Sequence, residues 1–392
     1  MNKKSFFGGL ISGVVICSIL AGGYVAASVL DKGSIKQYDA QAKVDYIMSM
    51  LNEYYVDELN YDQMTEGLYK GIVAGVGDPY TTYLTADEFA SLTDDTAGNF
   101  SGIGVTVSAQ EYYDGIEIVN TLNGPAQDAG VLAGDIITKV DDQSIEGLGL
   151  QNAVNLIKGE EGSEVKITVY RPSESREIDF VMKRSNIEVI SVNGEMLENS
   201  IGYVKIDQFS QNTYDQFKAE VEKLQAQNMK GLIIDVRDNP GGVVTGVRDI
   251  TDMLVGEGTM VYTIDKNGNR EDFKSDANKL GLPLAVLING NSASASEILS
   301  GAVQDMGEGV LVGTQSFGKG LVQGVYQLPD SSGIKITIQK YYTPKGVCIQ
   351  GTGLTPDYVV ELENGITNSN LVSREDDTQL KKAIEVISEK IN

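Results

Sequence analysis

The sequence predicts a mixed or parallel α/β fold, preceded by a helical region and a strand-rich unit. Three observations carry that expectation. From residue 200 onward, continuous apolar strands alternate with amphipathic helical stretches. Between residues 100 and 170 the pattern shortens to strand-like runs separated by Gly-rich turns. Residues 39–95 instead repeat apolar positions at helical spacing. At 392 residues the chain exceeds one ordinary core, so several folded units are expected.

Residues 1–30 begin M-N-K-K and then carry no charge from 5 to 30. Such a run exceeds the roughly 20 apolar residues that span a bilayer core. Lys3 and Lys4 place its start in the cytoplasm, so an uncleaved single-pass anchor is expected, with the bulk of the chain extracytoplasmic. The competing reading is a signal peptide cut near V-A-A-S (25–28). V-V-I-C (14–17) lacks the small residues of a lipobox. The expected location is a bacterial cell membrane, facing the surface or periplasm. Cys17 and Cys348 give no disulfide framework.

The helical region covers 36–95. Val44, Ile47, Met48 and Leu51 make one stripe, Met64, Leu68, Ile72 and Val73 another, and V-G-D-P-Y (76–80) ends the pattern. A packed helical collar is expected there. The net charge of −24 repels phosphate backbones, which argues against a nucleic-acid partner. The chain has no histidine and two cysteines, which removes His-ligated zinc and Cys-rich metal sites; neither a metal nor a cofactor is expected.

The strand-rich unit covers 96–184. G-I-G-V (102–105) and P-A-Q-D-A-G-V-L-A-G-D-I-I (125–137) together resemble a PDZ domain. The resemblance implies that the backbone N–H groups of Ile103, Gly104 and Val105 receive a chain-terminal carboxylate. The adjoining edge strand would accept an extended peptide. The expected partner is a protein or peptide with a free, apolar C-terminus. A helix over 150–158 would face that edge with Ala153, Leu156 and Ile157 near the groove. The plain alternative is a tight Gly hairpin.

The core covers 185–363. Strands are expected over 200–206, 231–236, 284–289 and 310–313, with helices over 214–224 and 297–304 between them. S-A-S-A-S-E (292–297) opens the second helix directly after a strand, where the helix dipole favours developing negative charge on a hydroxyl. Ser294 and Glu297 also fit a structural capping box. Without histidine, lysine is the leading base for a serine nucleophile. Lys319 lies in S-F-G-K-G-L-V-Q (316–323), and a strand over 319–325 would turn Lys319, Leu321 and Gln323 to one side. Burial would have to lower the proton affinity of that lysine. I-I-D-V-R-D-N-P-G-G (233–242) ends a strand in a turn that can aim N–H groups at an oxyanion.

In this order, and with D-P-Y-T-T-Y-L (78–84) and Y-Y-T-P-K-G-V-C-I-Q-G-T-G-L-T-P-D (341–357), these strings resemble the carboxyl-terminal processing peptidases, or tail-specific proteases. The resemblance runs from about residue 40 to 362. It implies a ClpP/crotonase-like core with an inserted PDZ domain. By position it implies Ser294 as nucleophile, in preference to Ser292 or Ser296, Lys319 as general base and Gln323 as its orienting partner. The oxyanion hole would use the N–H of Ala295 and of either Gly241 or Gly242. Thr81, Thr82 and N-G-N (289–291) depart from the family pattern outside these positions. The implied activity is serine endopeptidase cleavage near protein C-termini.

A membrane-tethered PDZ adaptor would explain residues 1–184 but leave Ser294, Lys319 and Gln323 as coincidence. A small-molecule Ser–Lys amidase would leave the PDZ unit unexplained. Of the segment 364–392, residues 366–377 read as a loose polar linker. Residues 378–391 read as an amphipathic helix suited to dock on its own chain or to pair with another chain in a homodimer.

Overall fold

The computed structural model describes residues 39–109 and 115–391, and the apolar run 5–30 expected to anchor the chain lies outside them. Among the described residues no helix is long and apolar enough to cross a membrane. The chain divides into two compact units, residues 1–68 and 69–392. In the first, helix α1 (Ala40–Tyr54) starts where the Asp39 carboxylate accepts the Ala42 N–H at 3.0 Å. No residue of α1 is buried, so the packed collar expected from its apolar stripe is not met there. Helix α2 (Tyr61–Ala74) crosses the boundary and buries Val73.

The second unit opens with the short strand β1 (Thr82–Leu84) and helix α3 (Ala86–Ala97). A reciprocal capping box fixes the start of α3: Glu88 N–H donates to Thr85 Oγ1, and Glu88 Oε2 accepts the Thr85 N–H. Strand β2 (Asn99–Gly102) leads into the strand-rich module. That module contains β3 (Val105–Ala109), β4 (Ile116–Thr121), α4 (Pro125–Ala129), β5 (Ile136–Val140) and β6 (Gln143–Ser144). It continues with α5 (Leu150–Ile157), β7 (Glu164–Arg171) and β8 (Arg176–Lys183). Its antiparallel sheet runs β3-β4-β5-β7-β8, which leaves β3 at an edge. Ile118, Ile137, Ile167 and Val169 fill the core beneath α5. The aspartate of G-D-I-I is structural: Asp135 is buried and takes both Nε and Nη2 of Arg171, each at 2.7 Å. Strand β9 (Ser185–Glu188) pairs with β2 and closes the module's two ends together.

The α/β core follows, with β10 (Val192–Met196), β11 (Ile201–Ile206), α6 (Thr213–Gln225), β12 (Gly231–Asp235) and α7 (Val244–Leu254). Next come β13 (Gly258–Asp265), β14 (Arg270–Ser275), β15 (Leu284–Ile288), α8 (Ala295–Asp305) and β16 (Val310–Gly313). The last elements are β17 (Leu321–Gln327), β18 (Gly333–Tyr342), β19 (Tyr358–Val359) and α9 (Thr378–Ile391). One sheet orders β10-β11-β12-β15-β16-β19 and is parallel from β11 to β19. All five residues of β12 and of β15 are buried, as a strand covered on both faces requires. Their alternation decides which layer each side chain meets. Leu232, Ile234, Val286 and Ile288 join the core beneath α6, α7 and α8. Ile233, Ala285 and Leu287 meet Leu380, Ala383 and Ile387 of α9 on the other face. A second sheet, β1-β18-β13-β14 with β17 on β18, lies outside this one.

Residues 366–377 are not the loose linker expected from their polarity. Asp238 Oδ2 accepts both the N–H and the hydroxyl of Ser369, at 2.8 and 2.7 Å. Arg237 is buried between Asp235 and Asp377, with Nη2 donating to the two carboxylates at 2.6 and 2.8 Å. Asp377 also accepts the Leu380 N–H at 2.9 Å and so starts α9. Polarity here serves long-range bonding, which composition alone does not reveal. The terminal helix docks on its own sheet.

Asp377→Ala removes one side of a buried ion pair and leaves Arg237 partly unmatched. Urea unfolding should show a loss of about 3–5 kcal/mol.

Candidate active site

Parallel strands β12 and β15 are neighbours, so the loops leaving their C-terminal ends lie side by side. Asn239, fully buried, joins them. Its Nδ2 donates to the Ile206 carbonyl at 2.8 Å, and its own carbonyl accepts the Ala293 N–H and the Ser296 hydroxyl, both at 3.0 Å. The first loop passes so near the second that Gly241 has no room for a side chain: an added Cβ would lie 2.8 Å from Ser294 Cβ and 2.9 Å from the Ala295 nitrogen. Its φ of 101° independently favours glycine.

The sequence left the donor choice between Gly241 and Gly242 open. The Gly241 N–H is already given to Asn239 Oδ1 at 2.8 Å. Gly242 bridges Phe209 in parallel fashion through its neighbours, with Phe209 N–H to the Gly241 carbonyl and Val243 N–H to the Phe209 carbonyl. Among the described residues, the N–H groups of Gly242 and Ala295 have no protein acceptor. Gly242 also lines the same cavity as Ser294.

Three serines open α8, and their surroundings separate them. Ser292 and Ser296 are fully buried, with hydroxyls donated to the carbonyls of Val236 (2.7 Å) and Asn239 (3.0 Å). Ser294 lies at the sharp turn from β15 into α8, with φ 56° and ψ −112°, a conformation that non-glycine residues rarely hold. It lines a cavity of about 340 Å³ together with Lys319, Gln323 and Lys335. The buried Tyr341 hydroxyl donates to the Ser294 carbonyl at 3.2 Å and helps to hold the turn.

Glu297 does more than cap the helix. It is 1% exposed, and its carboxylate accepts four bonds. Oε2 takes the N–H groups of Ser294 and Lys319, each at 2.9 Å, and Oε1 takes the Ser316 hydroxyl at 2.5 Å and the Gly318 N–H at 2.8 Å. One carboxylate thus fixes the backbone of both the serine and the lysine. The sequence hinted at this only through the S-x-x-E spacing, which read equally as a cap.

Lys319 precedes its strand; β17 starts at Leu321, and a register shift falls between Val322 and Gln323. Lys319, Leu321 and Gln323 all line the cavity as expected, but Val322 does too, so a simple two-residue alternation over 319–325 is not how they are placed. Gly318 and Gly320 instead pack against the 349–353 turn, where added Cβ atoms would come within 2.7 and 2.8 Å of the Gly353 and Gln350 nitrogens. Burial pushes the Lys319 amine below its ordinary value, the Lys335 cation reinforces this, and Glu297 and Asp78 oppose it. The Tyr80 ring lies 5.0 Å from Lys319 Nζ, which gives the D-P-Y-T-T-Y-L string a place beside the lysine. Gln323 reaches the cavity, and its Nε2 makes a long contact of 3.5 Å to Thr337 Oγ1.

The strand-rich module forms its own groove between β3 and α5. Ile103, Gly104 and Val105 line it, with Phe100 at one side. The Ile103 and Gly104 carbonyls point inward to the Ala126 and Leu122 N–H groups, and Gly104 takes φ 79°. From α5 and its C-cap the lining residues are Val154, Ile157 and Lys158. Ala153 and Leu156, expected near the groove, belong to the module's core, because the helix turns that stripe inward. Lys158 pairs with Asp94 of α3 at 2.7 Å.

Residues 200–360 match the model of peptidase family S41, and residues 121–171 match that of a PDZ domain. The carboxy-terminal-processing protease of Bartonella bacilliformis is 34% identical over 371 residues, covering 92% of this chain and 83% of its own. The carboxy-terminal processing protease CtpA of Bacillus subtilis is 32% identical over 364 residues, covering 92% of this chain and 77% of its own.

Glu297→Gln would place an amide NH2 against N–H donors at one of the two oxygen positions. A stability loss of roughly 1–3 kcal/mol is expected in thermal or urea melts, with the fold retained.

Proposed function

Because the chain belongs to the carboxy-terminal-processing proteases of peptidase family S41, we propose that it is a serine endopeptidase that cuts protein chains near their C-termini with Ser294 and Lys319. One observation carries the assignment. Of the three serines at the start of α8, Ser294 alone lines the cavity shared with a lysine of lowered proton affinity. The adaptor alternative has no use for that pairing.

Neutral Lys319 takes the Ser294 hydroxyl proton as Oγ attacks the scissile carbonyl. The oxyanion receives the N–H groups of Ala295 and Gly242, which carry no protein acceptor among the described residues. Gly241 shapes the turn in this reading, since its N–H is committed to Asn239. The protonated lysine then gives its proton to the leaving amine. Water, activated by the same lysine, hydrolyses the acyl-enzyme. Gln323, which lines the same cavity, orients the amine in this reading. The substrate's free, apolar C-terminus docks at Ile103, Gly104 and Val105 and extends along the edge of β3. We read the catalytic core as ClpP/crotonase-like and the apolar run 5–30 as a membrane anchor that places the enzyme on the outer side of a bacterial cell membrane.

Ser294→Ala and Lys319→Ala should each lower kcat/KM on a protein substrate by at least about 10⁴-fold, and the double variant should be no worse. Lys319→Arg should be equally inactive, since guanidinium keeps its proton. Ser292→Ala and Ser296→Ala should keep cleaving while losing roughly 1 kcal/mol of stability. Activity surviving Ser294→Ala but lost in either neighbour would overturn the assignment.

The pH profile has a definite sign. A base lysine works unprotonated, so kcat/KM should rise with pH along a limb below the usual lysine range, because burial lowers the amine. With no histidine present, no limb near pH 6.5 should arise from an imidazole.

Substrates with an amidated C-terminus should be cleaved more slowly than free-acid versions below KM. Equal rates would show that the groove does not select termini.

A further inference from the structure

The catalytic cavity contains a second lysine that the reaction above does not use. Lys335 sits on β18, where its Cα is opposite Thr82 of β1 on one side and Val325 of β17 on the other. Strands on both sides hold its backbone, and its side chain is half-buried along the same cavity wall as Lys319 and Gln323. Among the described residues it makes no ion pair and no side-chain hydrogen bond. Lys319 and Lys335 line the same cavity, and the Lys335 charge acts on the Lys319 amine.

On the reading of Lys319 as base, we propose that Lys335 is a positioning residue that keeps the Lys319 amine unprotonated through like-charge repulsion across the cavity. Protonating Lys319 would place two cations in one partly closed space, and like-charge repulsion disfavours that state. The other groups around Lys319 do not supply this effect. Glu297 and Asp78 attract a proton to it. The Glu297 oxygens are, however, occupied by four donors, and Asp78 is held by the Thr81 hydroxyl and the Tyr80 N–H. Asp95 lines the cavity from α3 and would also favour the cation. Tyr80 contributes a ring face, and Tyr341, whose hydroxyl burial holds protonated, contributes a bond to the Ser294 carbonyl. Lys335 is thus the charge in the cavity that acts in the same direction as burial.

The test is a charge series at one position, Lys335→Arg, Lys335→Met and Lys335→Glu, in the full chain. In a Ser294→Ala background with ¹³Cε-labelled lysine, the Lys319 signal, identified by its loss in Lys319→Met, is titrated by NMR. The Lys319 midpoint should stay near the parent value with Arg, move to higher pH with Met and move further with Glu. With Ser294 intact, the acid limb of kcat/KM should follow the same order, so that Lys335→Met loses roughly 3- to 10-fold at pH 7 and recovers it at alkaline pH. An unmoved Lys319 midpoint across the series overturns the proposal. That includes the outcome in which only KM for acidic peptides changes, which would make Lys335 a contact for substrate carboxylates. If the midpoint follows charge while the kcat/KM limb does not, the repulsion stands and Lys319 fails as the catalytic base. Lys335→Arg, which preserves charge and length, separates these effects from misfolding.

Discussion

The carboxylate of Glu297 is the interaction on which the cavity end of the core depends. It is buried, and burying an ionised carboxylate costs several kcal/mol unless hydrogen bonds replace its water. Four donors do so here, and they come from three places: the turn before α8, the Ser316 hydroxyl and the Gly318-Lys319 backbone. Bonds to a charged acceptor are worth about 1.5–3 kcal/mol each, so the set is strong enough to determine the path of both loops. The serine and lysine segments are far apart in sequence, yet each takes its position from the same two oxygens. Ser294 can hold a disfavoured backbone conformation because its own N–H, its carbonyl and the next turn are all bonded.

Asn239 plays the matching part on the other loop. Its amide and its carbonyl are both consumed in joining β11, the Gly241 turn and the start of α8. The result sorts chemically similar groups into different roles. Adjacent glycines differ because one N–H is taken and the other is not. Alternate serines differ because the outer two hydroxyls are given to carbonyls. Sequence presents these residues as equivalent, and bonding makes them distinct.

That contrast explains how much was legible beforehand. The α/β class and the two-sided burial of β12 and β15 follow from local pattern, because strand and helix periods are local properties, whereas the edge strand of the module was expected from the PDZ resemblance. Ser294 and Lys319 stood out through their settings and through the absence of histidine. What local pattern could not supply was partnership across the chain. The second half of Glu297's bonding, the Tyr80 ring near Lys319 and the pinning of Ser369 by Asp238 all join distant segments. The late start of β17 was missed for a related reason: backbone bonds to Glu297 and Gln350 compete with strand pairing around Lys319.

The clamp between Arg237 and Asp377 has a consequence in time. Arg237 is added to the growing chain just after Asp235 but 140 residues before its second carboxylate partner, Asp377. It immediately precedes Asp238 and the turn that shapes the proposed catalytic cavity, and α9 closes over the adjacent sheet face. A nascent chain that has just finished Gln323 therefore holds every proposed catalytic side chain, yet its Arg237 guanidinium, bonded to Asp235, still lacks Asp377 and Gln379 at the root of the turn. Long-range contacts of this kind form late, once the loop between them is closed. Synthesis thus finishes before the cavity is fully braced, and a chain cut short before residue 377 carries the proposed catalytic side chains without the Asp377 bonds to Arg237.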